Sequence, residues 1–442
     1  MYDAVSAEEL NKPTVVLANQ NFATDARSAA SSKGWPGIRI VPEVVPPECT
    51  VAERREAGIS AAMNDVIAAL TMPLTEEEKS PRPGKEEKAP RIVFKGNLEE
   101  VNRFFYKRGW TDGLPLIPPT EETVKEMLTG TDLPADHVVA KIIPRLGKAT
   151  VEKIAVNAVM AGALPTYMPV LIAGVQAVMD PKANFGTTEV STASWVPFWV
   201  INGPIRNDLH VNNGEGVLSP GDIANAAIGR AMGLIIKNIG GARKGIEDMG
   251  IFGNPGKYTM VAAENEEASP WEPLHVEHGF KKEDSTVTVS FPTALTQAGV
   301  FSSDASGIMR GIISAITTVT GGGVTILIQP LHARTLGEDG WTKKEIEDYV
   351  YKYARVPAYR SSGYWRNWVP GRERPALNPE DHVAVLRGAD SVRVLVTGGS
   401  GALFTTVLPG GNRWVSKKVE LPANWSKLVE KYRDIKPTHV RY

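Results

Sequence analysis

The stretch KPTVVLANQNFATDARSAASSKGWPGIRIVP, residues 12–42, decides the fold class. TVVLA is an unbroken apolar run closed by Asn19, the pattern of a strand covered on both faces in a parallel sheet. ATDARSAASSK follows as a helix, and Gly34 is its stop, because glycine enters the left-handed conformation without a Cβ clash. GIRIVP is a second short strand. VAERREAGISAAMNDVIAALT, 51–71, then reads as a long helix with Thr50 as its N-cap. The order β-α-β-α makes residues 1–72 a small parallel α/β unit. Two strands do not make a stable independent sheet. Either later residues extend it, or another polypeptide completes it.

Outward from this unit, residues 73–91, PLTEEEKSPRPGKEEKAPR, have the charged, proline-rich composition of a linker. Residues 92–442 read as a large mixed α/β domain of one or two subdomains. Helices are expected at LEEVNRFFYKRGW, ending near Gly109, and at TEETVKEMLTG, capped by Thr120 without a capping box. Further helices are expected at TVEKIAVNAVMAG, at SPGDIANAAIGRAMGLIIKNIGG, from Ser219-Pro220 to a stop at Gly240, and at WTKKEIEDYVYKYA. Strands are expected at HVVAKIIP, VPFWVING, KYTMVAAE, STVTVSF, GVTILIQP, HVAVLRG and SVRVLVTGG. No convincing internal repeat is visible, although GGGVTILIQPLHA and SVRVLVTGGSGALF have the form of parallel α/β units.

The chain has 442 residues, 42% hydrophobic and 22% charged, enough to bury a real core. Lys+Arg of 49 against Asp+Glu of 50 argues against a nucleic-acid binder or a polybasic membrane-surface protein. Cys49 is the only cysteine, so neither an intramolecular disulfide nor a CxxC motif is possible, and a reducing, cytoplasmic setting is expected. MYDAVSAEELNK lacks the basic and apolar regions of a secretory signal. Ile154 to Met179 carries no charge, but Pro165 and Pro169 interrupt it. It reads as two short buried helices joined by LPTYMP, with no membrane span.

The layout of AVSAEELNK, KPTVVLANQNFATDARSAASSKGWPGIRIVPEVVPP and AMNDVIAALT resembles the latter half of the UGSC selenoprotein-like family, named for a Sec/Cys-Gly-Ser-Cys motif. In that family the motif stands just before this region; here the chain starts at Met1 and the motif is absent, so its redox residues are not carried over. The segments GWTDGLPLIPPT, KIAVNAVMAGALP, VINGPIR, AIGRAMGLIIKNIGGA, NPGKYTMVAAENEEASPWEPLHVEHGF and VTGGSGALFTTVLPGG resemble a large domain associated with such proteins. Relatives carry a cysteine in the MAG-x-LP segment where Ala163 stands here. The resemblance implies a separate small subunit supplying a Cys or Sec pair.

Four constellations are candidates for chemistry. The densest is AENEEASPWEPLHVEHGF, with Glu264, Asn265, Glu266, Glu267, Trp271, Glu272, His275 and His278 following a strand. Glu264, Glu272 and His275 are its candidate catalytic groups. The E-x-x-H-x-x-H spacing of Glu272, His275 and His278 would suit a divalent metal ion if the segment were helical, and a solvated acidic loop is the alternative. In NGPIRNDLHVNNGEGVLSPGD, Arg206, His210, Asn212 and Asn213 lie in a loop expected to end on a helix N-terminus, a place for an anion, although such residues also favour turns. Gly399, Ser400 and Gly401 follow a strand and form either a tight turn or a phosphate- or carboxylate-binding loop. Asp112, beside Trp110 in a proline-rich loop, is either a base or an Asx-turn.

Three functions are open. The first is the large subunit of a hetero-oligomeric small-molecule enzyme, an oxidoreductase whose thiol or selenol residues sit on the small subunit. The second is a metal-assisted lyase or hydrolase built on residues 264–278. The third is a non-catalytic scaffold.

Overall fold

A computed structural model describes residues 2–43, 52–76, 90–317, 322–360, 378–401, 403–411 and 413–435. Cys49, the expected cap Thr50 and most of the expected linker lie outside the described residues. The architecture is α/β: a small parallel two-stranded sheet near the N-terminus and a body of mixed sheets and helices.

The N-terminal unit holds helix α1 (Tyr2–Glu9), strand β1 (Val16–Asn19), α2 (Ala23–Ser32), β2 (Ile40–Glu43) and α3 (Ala52–Thr71). The strands pair in parallel from Val16↔Ile40 to Asn19↔Glu43. Gly34 follows α2 at φ 82°, as expected of a stop. The expectation of a strand buried on both faces is corrected: Leu17 is 47% exposed, because nothing among the described residues covers that face of β1. Among the described residues the sheet stays two-stranded. Along α3, Ile59, Met63, Ile67 and Leu70 are also exposed. Ser28 Oγ of α2 donates to Glu247 Oε1 of the body at 2.7 Å.

The body continues with α4 (Leu98–Lys107), α5 (Glu121–Met127), a hairpin of β3 (Val138–Ile142) and β4 (Gly147–Thr150), α6 (Val151–Ala161), α7 (Met168–Val178) and α8 (Phe185–Glu189). Thr120 caps α5 through the Thr123 N–H, as read from the sequence. The apolar stretch 154–179 forms buried α6 and α7, and no helix among the described residues is long and apolar enough to cross a membrane. Next come β5 (Phe198–Asn202), α9 (Ile205–Asp208), α10 (Ile223–Asn238), β6 (Val261–Ala263), α11 (Leu274–Glu277), β7 (Thr286–Ser290) and β8 (Thr296–Gly299). The chain then forms α12 (Ala305–Ile316), β9 (Val324–Ile328), α13 (Pro330–Glu338), α14 (Lys343–Tyr353), β10 (Arg355–Pro357) and β11 (His382–Ala384). It closes with β12 (Val392–Val396), β13 (Phe404–Pro409), β14 (Val415–Lys418) and α15 (Trp425–Tyr432).

Two four-stranded sheets organise the body, in the orders β14-β7-β5-β6 and β12-β9-β13-β8. Phe198, Val200, Met260 and Ala262 of one meet Leu327, Leu395 and Leu408 of the other in a shared core. Alternate residues on each strand face helices instead: Trp199 and Ile201 pack with α6, α7 and α10, and Ile326, Ile328 and Val394 with α12, α13 and α14. The result is four layers, helix-sheet-sheet-helix. Strands covered on both faces need continuous apolar sequence, which is why FWVI, VTILI and VRVLV were readable.

The two sheets share one plan. In both sheets a central strand pairs in parallel with one neighbour and antiparallel with the other: Ile201 with Ala263 and Val287, Ile328 with Val396 and Thr405. The fourth strands are exchanged. After β7 the chain crosses to pair β8 with β13, and after β13 it crosses back to pair β14 with β7. The two crossings touch at the antiparallel bridge Pro292↔Gly410. Helices follow suit: α7 covers β7 and β14, and α12 covers β13 and β8. Side chains differ and connections vary in length, so the duplication of plan leaves no periodic sequence.

Candidate functional site

The parallel strands β5 and β6 end side by side, and the first residues past their mutual pairing are polar and buried. Asn202 and Glu264 are both 0% exposed. Asn202 Nδ2 donates to Glu264 Oε2 at 2.6 Å and to Glu266 Oε1 at 3.1 Å. Gly203 N–H reaches the same Glu266 oxygen at 2.7 Å. Gly203 is at φ 81°, and a Cβ there would stand 2.1 Å from the Asp284 carbonyl, so only glycine lets this turn seat Glu266.

Arg206 of α9 lies under the turn. It donates to the Gly203 and Glu264 carbonyls at 3.0 and 2.9 Å and clasps the Glu267 carboxylate at 3.1 and 2.9 Å. Those bonds hold the Glu267 carboxyl below its ordinary range, against the opposing effect of burial. Glu264 also accepts the Leu274 N–H at 2.7 Å and stands 3.5 Å from Lys343 Nζ. Lys343, the first residue of α14, is buried and reaches the Glu272 carbonyl at 2.7 Å and Glu277 at 3.0 Å. Four carboxylates thus face two cations.

His275 is fully buried, with Nε2 3.4 Å from the Lys282 carbonyl and Nδ1 3.9 Å from Glu266 Oε1. Nδ1 and Asn202 Oδ1 have no hydrogen-bond partner. Buried polar atoms are nearly always bonded, so these two are the positions in the network where a further polar group would bond. Chemically, a proton arriving at Nδ1 would be met by the Glu266 carboxylate. Next to this network, burial raises the Glu277 pKa despite Lys343, and burial, with Arg393, Lys343 and His275, lowers His278 to about 4.

The expected residues sort as follows. Glu264, Arg206 and His275 come together, and Asn265 lies alongside, its N–H donating to the Val396 carbonyl at 2.8 Å. The metal set Glu272, His275 and His278 is not formed. Pro273 starts a helix of four residues, so Glu272 is left outside it and exposed, while His278 turns to Ser416 Oγ at 2.6 Å. No group of three His, Cys, Asp or Glu among the described residues is placed to hold a metal ion. Asp112 is not a base in this network; it forms an Asx-turn with the Leu114 N–H and an ion pair with Arg230 at 2.7 Å. Trp271 packs with the second sheet's helices and donates Nε1–H to the Trp341 carbonyl at 2.7 Å.

The expected anion site at Ser219-Pro220 is also corrected, because the helix begins at Ile223. Asn212 is used within its loop, bonding Glu215 O and Asp222, and His210 is an exposed turn residue at φ 54°. Asn213 offers its carbonyl to the Gly398 N–H at 2.9 Å. Gly399, Ser400 and Gly401 form a turn from β12 towards β13, with no helix following. A Cβ on Gly399 would stand 2.2 Å from Glu215 Cγ, so the 213–215 and 397–399 loops meet through this glycine. Three expected loops therefore converge where the two sheets join. Lys343 was missed, because WTKKE reads as an exposed, capped helix start. Cavities of about 410 Å³ by Trp341 and about 500 Å³ by Val124 do not open on the network.

No family model, curated protein or solved structure matches this chain.

Proposed function

We propose that this chain is the large subunit of a hetero-oligomeric small-molecule enzyme of the reducing cytoplasm. Its thiol or selenol redox residues would be carried by a separate small subunit, and its substrate contacts by the Asn202–Glu264–Glu266–His275 network. The observation that carries the reading is the exposed apolar stripe Ile59, Met63, Ile67 and Leu70 beside a sheet that is two-stranded among the described residues. Contiguous apolar surface of this kind marks a partner site. The oxidoreductase class rests on the resemblance of residues 1–72 to the UGSC family. In this reading docking of the small subunit opens the buried network to substrate, His275 Nδ1 takes a proton from it, and Glu266 steadies the resulting charge.

The test is to co-produce the chain with a small Cys/Sec-Gly-Ser-Cys subunit and measure assembly and turnover. Ile67→Asp should release the small subunit while leaving the body's melting temperature in place. Full turnover by the isolated chain after Cys49→Ser would overturn both the partner and the thiol chemistry. A scaffold reading is favoured by the complete burial of Asn202, Glu264 and His275. It expects His275→Gln to lower stability alone, whereas the enzyme reading expects turnover by the folded complex to fall by at least about a hundredfold.

A further inference from the structure

The outer face of α14 carries a second constellation, unconnected with any redox chemistry. A cavity of about 410 Å³, within the roughly 300–1,000 Å³ of small-molecule sites, is lined by Asp339, Trp341, Glu345, Asp348, Tyr349 and Tyr353. Trp341 and Tyr349 meet edge to face, centroids 5.3 Å apart at 82°, and form two walls at nearly a right angle. Tyr353 continues the wall, 4.4 Å from Tyr349. Aromatic faces are negative and attract cations. Lys352 illustrates this, its Nζ standing 4.9 Å from the Tyr353 ring centroid.

The carboxylates add negative charge at the rim, and each has one oxygen already engaged. Glu345 Oε2 is engaged by the Thr342 N–H and hydroxyl at 2.8 Å each. Asp339 accepts Trp341 Nε1–H at 3.2 Å, and Asp348 pairs with Lys344 at 2.6 Å. Three carboxylates against Lys352 leave the lining anionic. An alkylated ammonium presents its charge through methyl groups that pack on aromatic faces, which suits three aromatic rings beside an anionic rim. We infer that this cavity is a binding site for a small quaternary ammonium ion. The site is tied to the polar network: the Trp341 carbonyl holds Trp271 Nε1, and Lys343 leaves the same segment to reach Glu264.

Calorimetric titration of the full chain with choline, and with its uncharged isostere neohexanol, tests the inference. Choline should bind about three- to fivefold more tightly than neohexanol, the difference a solvent-exposed cation–π contact supplies. Tyr349→Leu should weaken choline binding several-fold. Lys352→Gln, at an exposed position that spares folding, should strengthen it, because a competing cation is removed. Equal binding of choline and neohexanol, no saturable choline binding, or weaker binding after Lys352→Gln would each overturn the site. A trimethyl-lysine peptide binding at least about tenfold more tightly than choline would overturn the small-molecule assignment in favour of a modified peptide.

Discussion

In the first sheet β5 ends on Asn202 and β6 runs on to Glu264; at the matching positions of the second sheet stand Gln329 and Thr397. The backbone treats both alike. Glu264 N–H reaches the Ile201 carbonyl at 3.3 Å, and Thr397 N–H the Ile328 carbonyl at 3.1 Å. The side chains do not. Glu264 gathers Asn202, the Leu274 N–H and Lys343, whereas Thr397 donates its hydroxyl to the Ala263 carbonyl at 2.8 Å. Gln329 turns its oxygen to the Leu331 N–H, and its Nε2 has no partner. The same strand plan is therefore built once with buried charges and once without. The fold does not require the acid, which favours a functional reason for Glu264 and its neighbours.

The largest expected effect comes from making the first sheet copy the second. Glu264→Thr should cost about 3–5 kcal/mol, since Asn202 and the Leu274 N–H would lose their buried acceptor and Lys343 would keep only Glu277. Thr397→Val should cost about 1 kcal/mol, the loss of one neutral hydrogen bond. Denaturant unfolding of the two variants checks this, and equal losses would break the comparison.

The crossing point offers a sharper pair, because Pro292 and Gly410 occupy equivalent places and touch each other. Gly410 has φ 85°, and a Cβ would stand 2.7 Å from Trp195 Cζ3. Gly410→Ala should cost about 2 kcal/mol through backbone strain and crowding. Pro292→Ala should cost about 1 kcal/mol or less, mainly by loosening the unfolded chain. Thermal melts that rank them the other way would mean the crossing is not held from the Gly410 side.

How much of this could be read from sequence follows from what each element buries. β5, β9 and β12 are apolar on both faces and were legible. β8 (TQAG) and β14 (VSKK) are half-exposed edge strands without that signature, and their exchange between sheets is set by partners far away in sequence. Within the segment 264–278 the sequence does not tell which side chains meet: Glu272 faces solvent and Glu266 faces His275. Lys343 and Lys344 are adjacent and chemically identical, yet one enters the network and the other pairs with Asp348 on the surface. Only the direction of the helix start distinguishes them.

The buried histidines extend the comparison to pH. His278 beside the first network is lowered to about 4 by burial and by Arg393, Lys343 and His275, while His332 of the second half is lowered by burial alone. A histidine with a depressed folded pKa binds its proton more readily when unfolded. Its contribution is therefore complete above the unfolded value of about 6.5 and is lost as pH falls towards 4. His278→Gln should flatten the acid limb of the stability curve by about 1 kcal/mol between pH 7 and pH 5, once partial solvent screening is allowed for. The same change at His332 should flatten it less. Denaturation midpoints across this range decide it, and a larger effect at His332 would remove the role of the first network's cations.

The smallest difference lies at the starts of the helices that cover β6 and β12. In α14, Thr342 and Glu345 form a reciprocal capping box, the Glu345 N–H on the Thr342 hydroxyl at 3.1 Å and the Thr342 N–H on Glu345 at 2.8 Å. In α10, Asp222 occupies the N-cap, but its carboxylate is turned to Asn212 Nδ2 at 2.8 Å and makes no cap bond. One helix is thus started by its own side chains and the other by the loop docked before it. Thr342→Ala should lower stability by about 1 kcal/mol, the usual value of a lost cap. It should also loosen Lys343, the next residue, and so increase amide exchange at Leu274, whose N–H shares the Glu264 carboxylate with that lysine. Asp222→Ala should cost about half as much, because only one partly exposed loop bond is lost, and should leave exchange at Leu274 unchanged. If both variants left Leu274 equally protected, the two halves would be coupled through the packed sheets alone, and Lys343 would not be the strut between them.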